Sequence, residues 1–121
     1  MDFDPSRPIW TQLLEDFQRR VIANIWPQGT RIPSVRELAA EYGTNPNTVQ
    51  RALAEFERLG LARSERTAGR FVTDNKDLIE ELKESSAMEA ALGYAQNAKS
   101  LGLSQAKAID LLKQAWLKEE K

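Results

Sequence analysis

Asn45, Asn47, Thr48, Gln50 and Arg51 place five hydrogen-bonding side chains in one short stretch. Their shared chemistry is recognition of planar edges. The amides of asparagine and glutamine offer a donor beside an acceptor, as adenine does in the DNA major groove. The arginine fork matches guanine, and a threonine methyl can meet the methyl of thymine. Catalytic chemistry is harder to assemble, because the chain has no histidine and no cysteine. That removes the commonest general base, thiol nucleophiles, disulfides and the usual structural zinc sites. The expectation is a binding protein with no cofactor and no metal.

Local sequence signals show what must position these residues. Asn45-Pro46 pairs a helix-capping asparagine with a proline already set at the φ of a first helical position. A helix is predicted from there, with Val49, Ala52, Leu53, Phe56 and Leu59 inward and Gly60 closing it. Upstream, Ser34 stands three residues before Glu37, the spacing of a capping box. It predicts a shorter helix carrying Val35, Leu38, Ala39 and Tyr42 inward and ending at Gly43. Two helices across a tight turn, with polar residues on the first turn of the second, have the layout of a DNA-reading helix-turn-helix. A major groove about 12 Å wide admits one such helix.

The remaining elements frame this pair. After Pro8, the four-residue spacing of Ile9, Leu13, Phe17 and Val21, widened by Trp10, Leu14, Ile22 and Ile25, predicts an amphipathic helix ending near Trp26-Pro27-Gln28-Gly29. An extended link, Thr30 to Pro33, follows. Residues 61 to 64 and 70 to 73 suit two short strands around a turn containing Thr67, Ala68 and Gly69. Beyond the polar hinge at Asp74-Asn75-Lys76, helical composition predicts helices over about 77 to 100 and 104 to 118, with Ser104 capping the second. The fold class expected is mainly α with a small β-hairpin: a winged helix-turn-helix domain over residues 1 to 73, then a two-helix hairpin over 77 to 121. The hairpin carries more apolar surface than two helices can hide, which predicts a partner subunit.

Charge is segregated by type. All ten arginines lie between Arg7 and Arg70, and all seven lysines between Lys76 and Lys121. Arginine suits phosphate and guanine, whereas lysine serves as a solubilising charge on exposed helices. The overall charge of −1 therefore hides a first half suited to nucleic acid. No apolar run approaches the roughly 18 residues needed to cross a bilayer. Asp2 and Asp4 stand where a secretory signal would be basic and then apolar. A cytoplasmic protein is expected.

Three ordered blocks then carry a resemblance: Gly29-Thr-Arg-Ile-Pro-Ser-Val-Arg-Glu-Leu-Ala39, Gly43-Thr-Asn-Pro-Asn-Thr-Val-Gln-Arg-Ala52 and Leu59-Gly-Leu61. Over residues 8 to 73 the chain resembles the GntR family of bacterial regulators. The resemblance implies a winged helix, a homodimer, an inverted-repeat operator in double-stranded DNA, and usually repression. It carries DNA contact onto Arg36, Asn45, Asn47, Thr48, Gln50 and Arg51, with Gly69 as the tip of the wing; Ser34 joins the same candidate set. Where the family's wing has a first glycine this chain has Thr67. Arg66 and Arg70 are expected to compensate by reaching phosphate or the minor groove. The tail is similar to the short YtrA subfamily, which implies dimerisation through the hairpin and control of transporter genes. It leaves little volume for a buried metabolite pocket, and no effector is assigned.

Other readings have less support. Trp10, Trp26 and Trp116 lie in or beside apolar stripes and read as packing rather than ligand stacking. Glu80, Glu81 and Glu84 read as a solvated helix face. A protein-interaction module would need an apolar recognition face, against which Asn47, Gln50 and Arg51 argue. An enzyme would need a nucleophile and a tuned base, and no such constellation exists here.

Overall fold

A computed structural model describes residues 1 to 120. Its elements are α1 (Ile9–Ile22), α2 (Val35–Tyr42), α3 (Pro46–Arg58), β1 (Ala62–Glu65), β2 (Gly69–Val72), α4 (Lys76–Ser100) and α5 (Gln105–Glu119). The chain forms two compact units, Met1–Lys83 and a second beginning at Glu84, so the division falls inside α4.

In the first unit α1 and α2 both pack on α3. The core is aromatic at its centre: Phe17 meets Trp26, Tyr42 and Phe56 at centroid distances of 5.3, 5.9 and 5.9 Å. Leu13, Leu38, Val49, Leu53 and Val72 are withdrawn from solvent around it, and Ile79 of α4 joins the same cluster. The buried side chain of Gln12 is satisfied by the N-terminal segment. Its Oε1 accepts from the Asp4 amide, and its Nε2 donates to the carbonyls of Asp4 and Arg7 at 2.8 and 3.0 Å.

The strands pair antiparallel in the register Ala62↔Val72 to Glu65↔Gly69. The link before α2 adds an edge to this hairpin. The Ile32 amide donates to the Arg70 carbonyl, the Val72 amide to the Thr30 carbonyl, and Arg31 bridges Phe71.

Three expectations fail locally. The first helix stops at Ile22 rather than near Trp26. Asn24 takes a left-handed φ of 60°, and the amides of Ile25 and Trp26 both return to the Arg20 carbonyl. Asparagine tolerates that conformation better than most residues. As a result Ile25 is 65% exposed while Trp26 enters the core. Leu59, expected inward, is exposed, because it is the C-cap of α3 and lies beyond the helix's buried face.

In the second unit α4 ends at Ser100 and α5 starts after its Ser104 cap, whose hydroxyl accepts from the Lys107 amide at 3.1 Å. The Tyr94 hydroxyl of α4 donates to the Ala108 carbonyl of α5 at 2.7 Å. Ala98 is buried, but Met88, Leu92, Ile109, Leu112, Trp116 and Leu117 stay exposed. No helix among the described residues is long and apolar enough to cross a membrane.

Candidate nucleic-acid interface

Both capping motifs form as the sequence predicts, and they fix where the polar side chains begin. The Ser34 hydroxyl accepts from the Glu37 amide at 3.1 Å, and the Glu37 carboxylate accepts from the Ser34 amide at 3.2 Å. That backbone hydrogen bond, with the Ser34 hydroxyl, holds the Glu37 carboxyl below its ordinary pKa. Gly43 closes α2 with φ 66°. Asn45 then caps α3, its Oδ1 accepting from the Asn47 amide at 2.7 Å, and Pro46 occupies the first helical position. The turn between the helices is thereby fixed by local chemistry, with each cap contributing about 1 kcal/mol.

Asn47, Gln50 and Arg51 are exposed, and their i, i+3, i+4 spacing puts them on one face of α3. Thr48 beside them is half-buried. On the opposite side Val49, Ala52, Leu53 and Phe56 seal the core, so the helix is held by its apolar face and presents its polar one. Asn45 is exposed, but its oxygen is committed to the cap, leaving its amide N–H groups for a partner.

Two of the candidates are restrained by neighbours that the sequence did not reveal. The Arg51 guanidinium lies 4.4 Å from the ring centroid of Trp10 on α1, a cation–π stack. Gln50 accepts from the Arg70 guanidinium on β2 at 3.4 Å. Arg70 Nε lies 3.6 Å from a Glu57 carboxylate oxygen that also accepts from Ser64. Arg70, expected to reach outward to DNA, is thus turned back onto α3, where Gln50 and Glu57 hold it.

Arg66, Thr67 and Ala68 form the turn of the wing, and Arg66 is exposed there. Gly69 is not at the tip but opens β2, paired with Glu65, at φ 107°. That conformation suits glycine, and the space is also taken. A Cβ at Gly69 would lie 3.0 Å from Arg31 Nε. Between the link and the wing lies an open cleft of about 460 Å³ lined by Arg31, Ser34, Glu65, Arg66, Gly69 and Arg70 among others. The structure thus brings Ser34 to the wing, an association with no sequence signal because the two lie thirty residues apart.

Pairing sorts the arginines. Arg7, Arg19, Arg20, Arg58, Arg63 and Arg70 each face a carboxylate, and Arg51 stacks on Trp10. Among the described residues, Arg31, Arg36 and Arg66 have neither an ion pair nor a side-chain hydrogen bond, and all three are exposed. Unpaired guanidinium groups on one domain are what a phosphate backbone would neutralise. No group of three His, Cys, Asp or Glu residues among the described residues could hold a metal ion.

Comparison with known proteins gives the same picture. The profile of the gntR family of bacterial regulatory proteins matches residues 11–72. The HTH-type transcriptional regulator YhcF of Bacillus subtilis is 33% identical over 111 residues, 92% of each chain. The HTH-type transcriptional repressor YtrA of the same organism is 36% identical over 77 residues, 62% of this chain and 59% of that one. A GntR family transcriptional regulator from Listeria monocytogenes superposes with a TM-score of 0.87 at 31% identity, covering 93% of this chain and 98% of the other. These relatives are regulators rather than enzymes. With its helix-turn-helix capped and its recognition face polar, the chain belongs to the GntR family and is a DNA-binding transcription regulator with a winged helix-turn-helix.

Proposed function

We propose that the chain is a cytoplasmic repressor that binds an inverted-repeat operator as a homodimer. The N-terminal half of α3 enters the major groove, and the wing lies near the minor groove. Asn47, Thr48 and Gln50 read base edges. Arg51 and Asn45 contact the DNA at the margins of that face, and Ser34, Arg36, Arg66 and Gly69 meet the backbone around it. The observation that carries this reading is the exposed polar face of α3, Asn47-Gln50-Arg51, held rigidly by two capping motifs and a sealed core. Base contacts supply sequence information and phosphate contacts supply register.

Homodimerisation is supported by the second unit, whose large apolar side chains Leu112, Trp116 and Leu117 stand in solvent in a single chain. An exposed face of that kind is normally an interaction surface. A two-fold partner would double the DNA-reading face, and an inverted repeat is the matching operator symmetry. Repression is supported by the name of the relative YtrA. The likeness to that subfamily also supports transporter genes as targets.

Fluorescence anisotropy with the chain's own upstream promoter fragment and a scrambled duplex, across a salt series, tests this reading. Binding to the promoter about a thousandfold or more tighter than to the scrambled duplex is expected. Asn47→Ala and Gln50→Ala should then lower that ratio. Equal, salt-dominated binding to both duplexes, with no preferred site found by genome-wide selection, would contradict it.

A further inference from the structure

The arginine that the motif leaves aside is Arg31. Its backbone is anchored as a third edge of the wing: Gly29 and Ile32 donate to the carbonyls of Val72 and Arg70 at 3.0 and 2.9 Å, and Arg31 pairs with Phe71. Gly69 is the diagonal neighbour of Arg31 across that pairing. The guanidinium lies over it: a Cβ at Gly69 would be only 3.0 Å from Nε and 3.5 Å from Nη2. The missing side chain at Gly69 is what lets the charge extend along the wing toward its turn. There Arg66 also lines the cleft.

The acids nearby do not satisfy Arg31. Glu65, on the same cleft, is paired with Arg63 at 3.4 Å. Glu37 is engaged by the Ser34 amide, the largest cause of the lowering of its pKa, and makes no ion pair with Arg31. Arg70, the third arginine lining the cleft, is held by Glu57. Two free guanidinium groups, Arg31 and Arg66, are left at a cleft of about 460 Å³ that is open to solvent.

We propose that Arg31 is a phosphate-binding residue of the DNA interface, which with Arg66 grips the sugar–phosphate backbone between the link and the wing. The proposal rests on the DNA-binding reading above and adds a contact to it. Guanidinium groups bind phosphate through paired N–H donors, and each phosphate neutralised releases condensed counterions. The contact should therefore strengthen binding to any duplex equally and leave sequence preference alone.

The test is the salt dependence of binding of full-length wild type, Arg31→Gln, Arg31→Lys and Arg66→Gln to the promoter and scrambled duplexes. Arg31→Gln should lower the slope of log affinity against log salt by about one unit. It should weaken both complexes about tenfold at low salt and leave their ratio unchanged. Arg31→Lys should restore the slope, since it restores the charge, and Arg66→Gln should match Arg31→Gln. An unchanged slope for Arg31→Gln, or a loss confined to the promoter duplex, would overturn the proposal while wild-type binding stood. A wild type that bound neither duplex with salt dependence would overturn the DNA-binding reading itself. Thermal unfolding followed by circular dichroism controls for folding; if Arg31→Gln unfolds, the slope of Arg31→Met, which keeps the stem over Gly69, decides in its place.

Discussion

The two units of this chain use apolar residues in opposite ways. The first gathers Leu13, Phe17, Leu38, Val49, Leu53, Phe56 and Val72 into one core with little or no exposure, and starts both helices of the helix-turn-helix with local caps. The second buries Ala98 and leaves Trp116 and Leu117 with roughly two thirds of their surface in solvent, at 66% and 64%. A core already complete within one chain gives a rigid platform for a reading helix. A helical pair that leaves its largest side chains outside offers an apolar face to another surface. The proposed DNA-reading face and the proposed pairing face are thus built on different physical grounds, and each can be perturbed separately.

The largest effect should come from Phe56→Ala, which removes a ring packed against Phe17 and Trp26 at centroid distances of 5.9 and 6.3 Å. A loss of about 3–5 kcal/mol is expected in urea unfolding of the first unit. A loss under about 1 kcal/mol would mean the core is looser than its burial indicates. Trp116→Ala should do the reverse. Secondary structure should persist by circular dichroism, while the dissociation constant for self-association measured by sedimentation rises at least about tenfold. Equal self-association would break the contrast between the units.

Asn45→Ala should cost about 1 kcal/mol by loss of the bond to the Asn47 amide, with self-association untouched. It should also weaken specific DNA binding through a less fixed first turn, which the anisotropy assay reads. The smallest effect concerns Tyr42. Burial, and then the hydrogen bond it donates to Asp16, raise the pKa of its phenol. A proton held more tightly in the folded state stabilises fully below the ordinary tyrosine pKa of about 10, and that stability is lost as pH rises through the folded value. Unfolding midpoints should therefore fall above about pH 10 in the wild type and fall less in Tyr42→Phe.

The parts of the fold that were readable in the sequence are those determined by neighbouring residues. Ser34 with Glu37, Gly43, Asn45 with Pro46, and Ser104 each act within one turn of chain, and all appear where their spacing puts them. What escaped depends on chain that meets only after folding. Ile25 continued the spacing of the first helix, but the left-handed Asn24 ended that helix first. The packing of Gly69 against Arg31, the return of Arg70 onto Gln50 and Glu57, and the stack of Arg51 on Trp10 all join segments far apart in sequence. Arg31 looked like one more charge in a link because nothing local marks an arginine that lacks a carboxylate partner.

Sedimentation of the chain alone and with duplexes carrying one or two inverted half-sites tests the paired, DNA-reading protein most directly. The expected result is a free protein of twice the chain mass, two chains on the inverted repeat, and loss of both in Trp116→Ala at concentrations where the wild type remains paired. A chain that stays monomeric at all concentrations, and occupies the two half-sites independently, would contradict it.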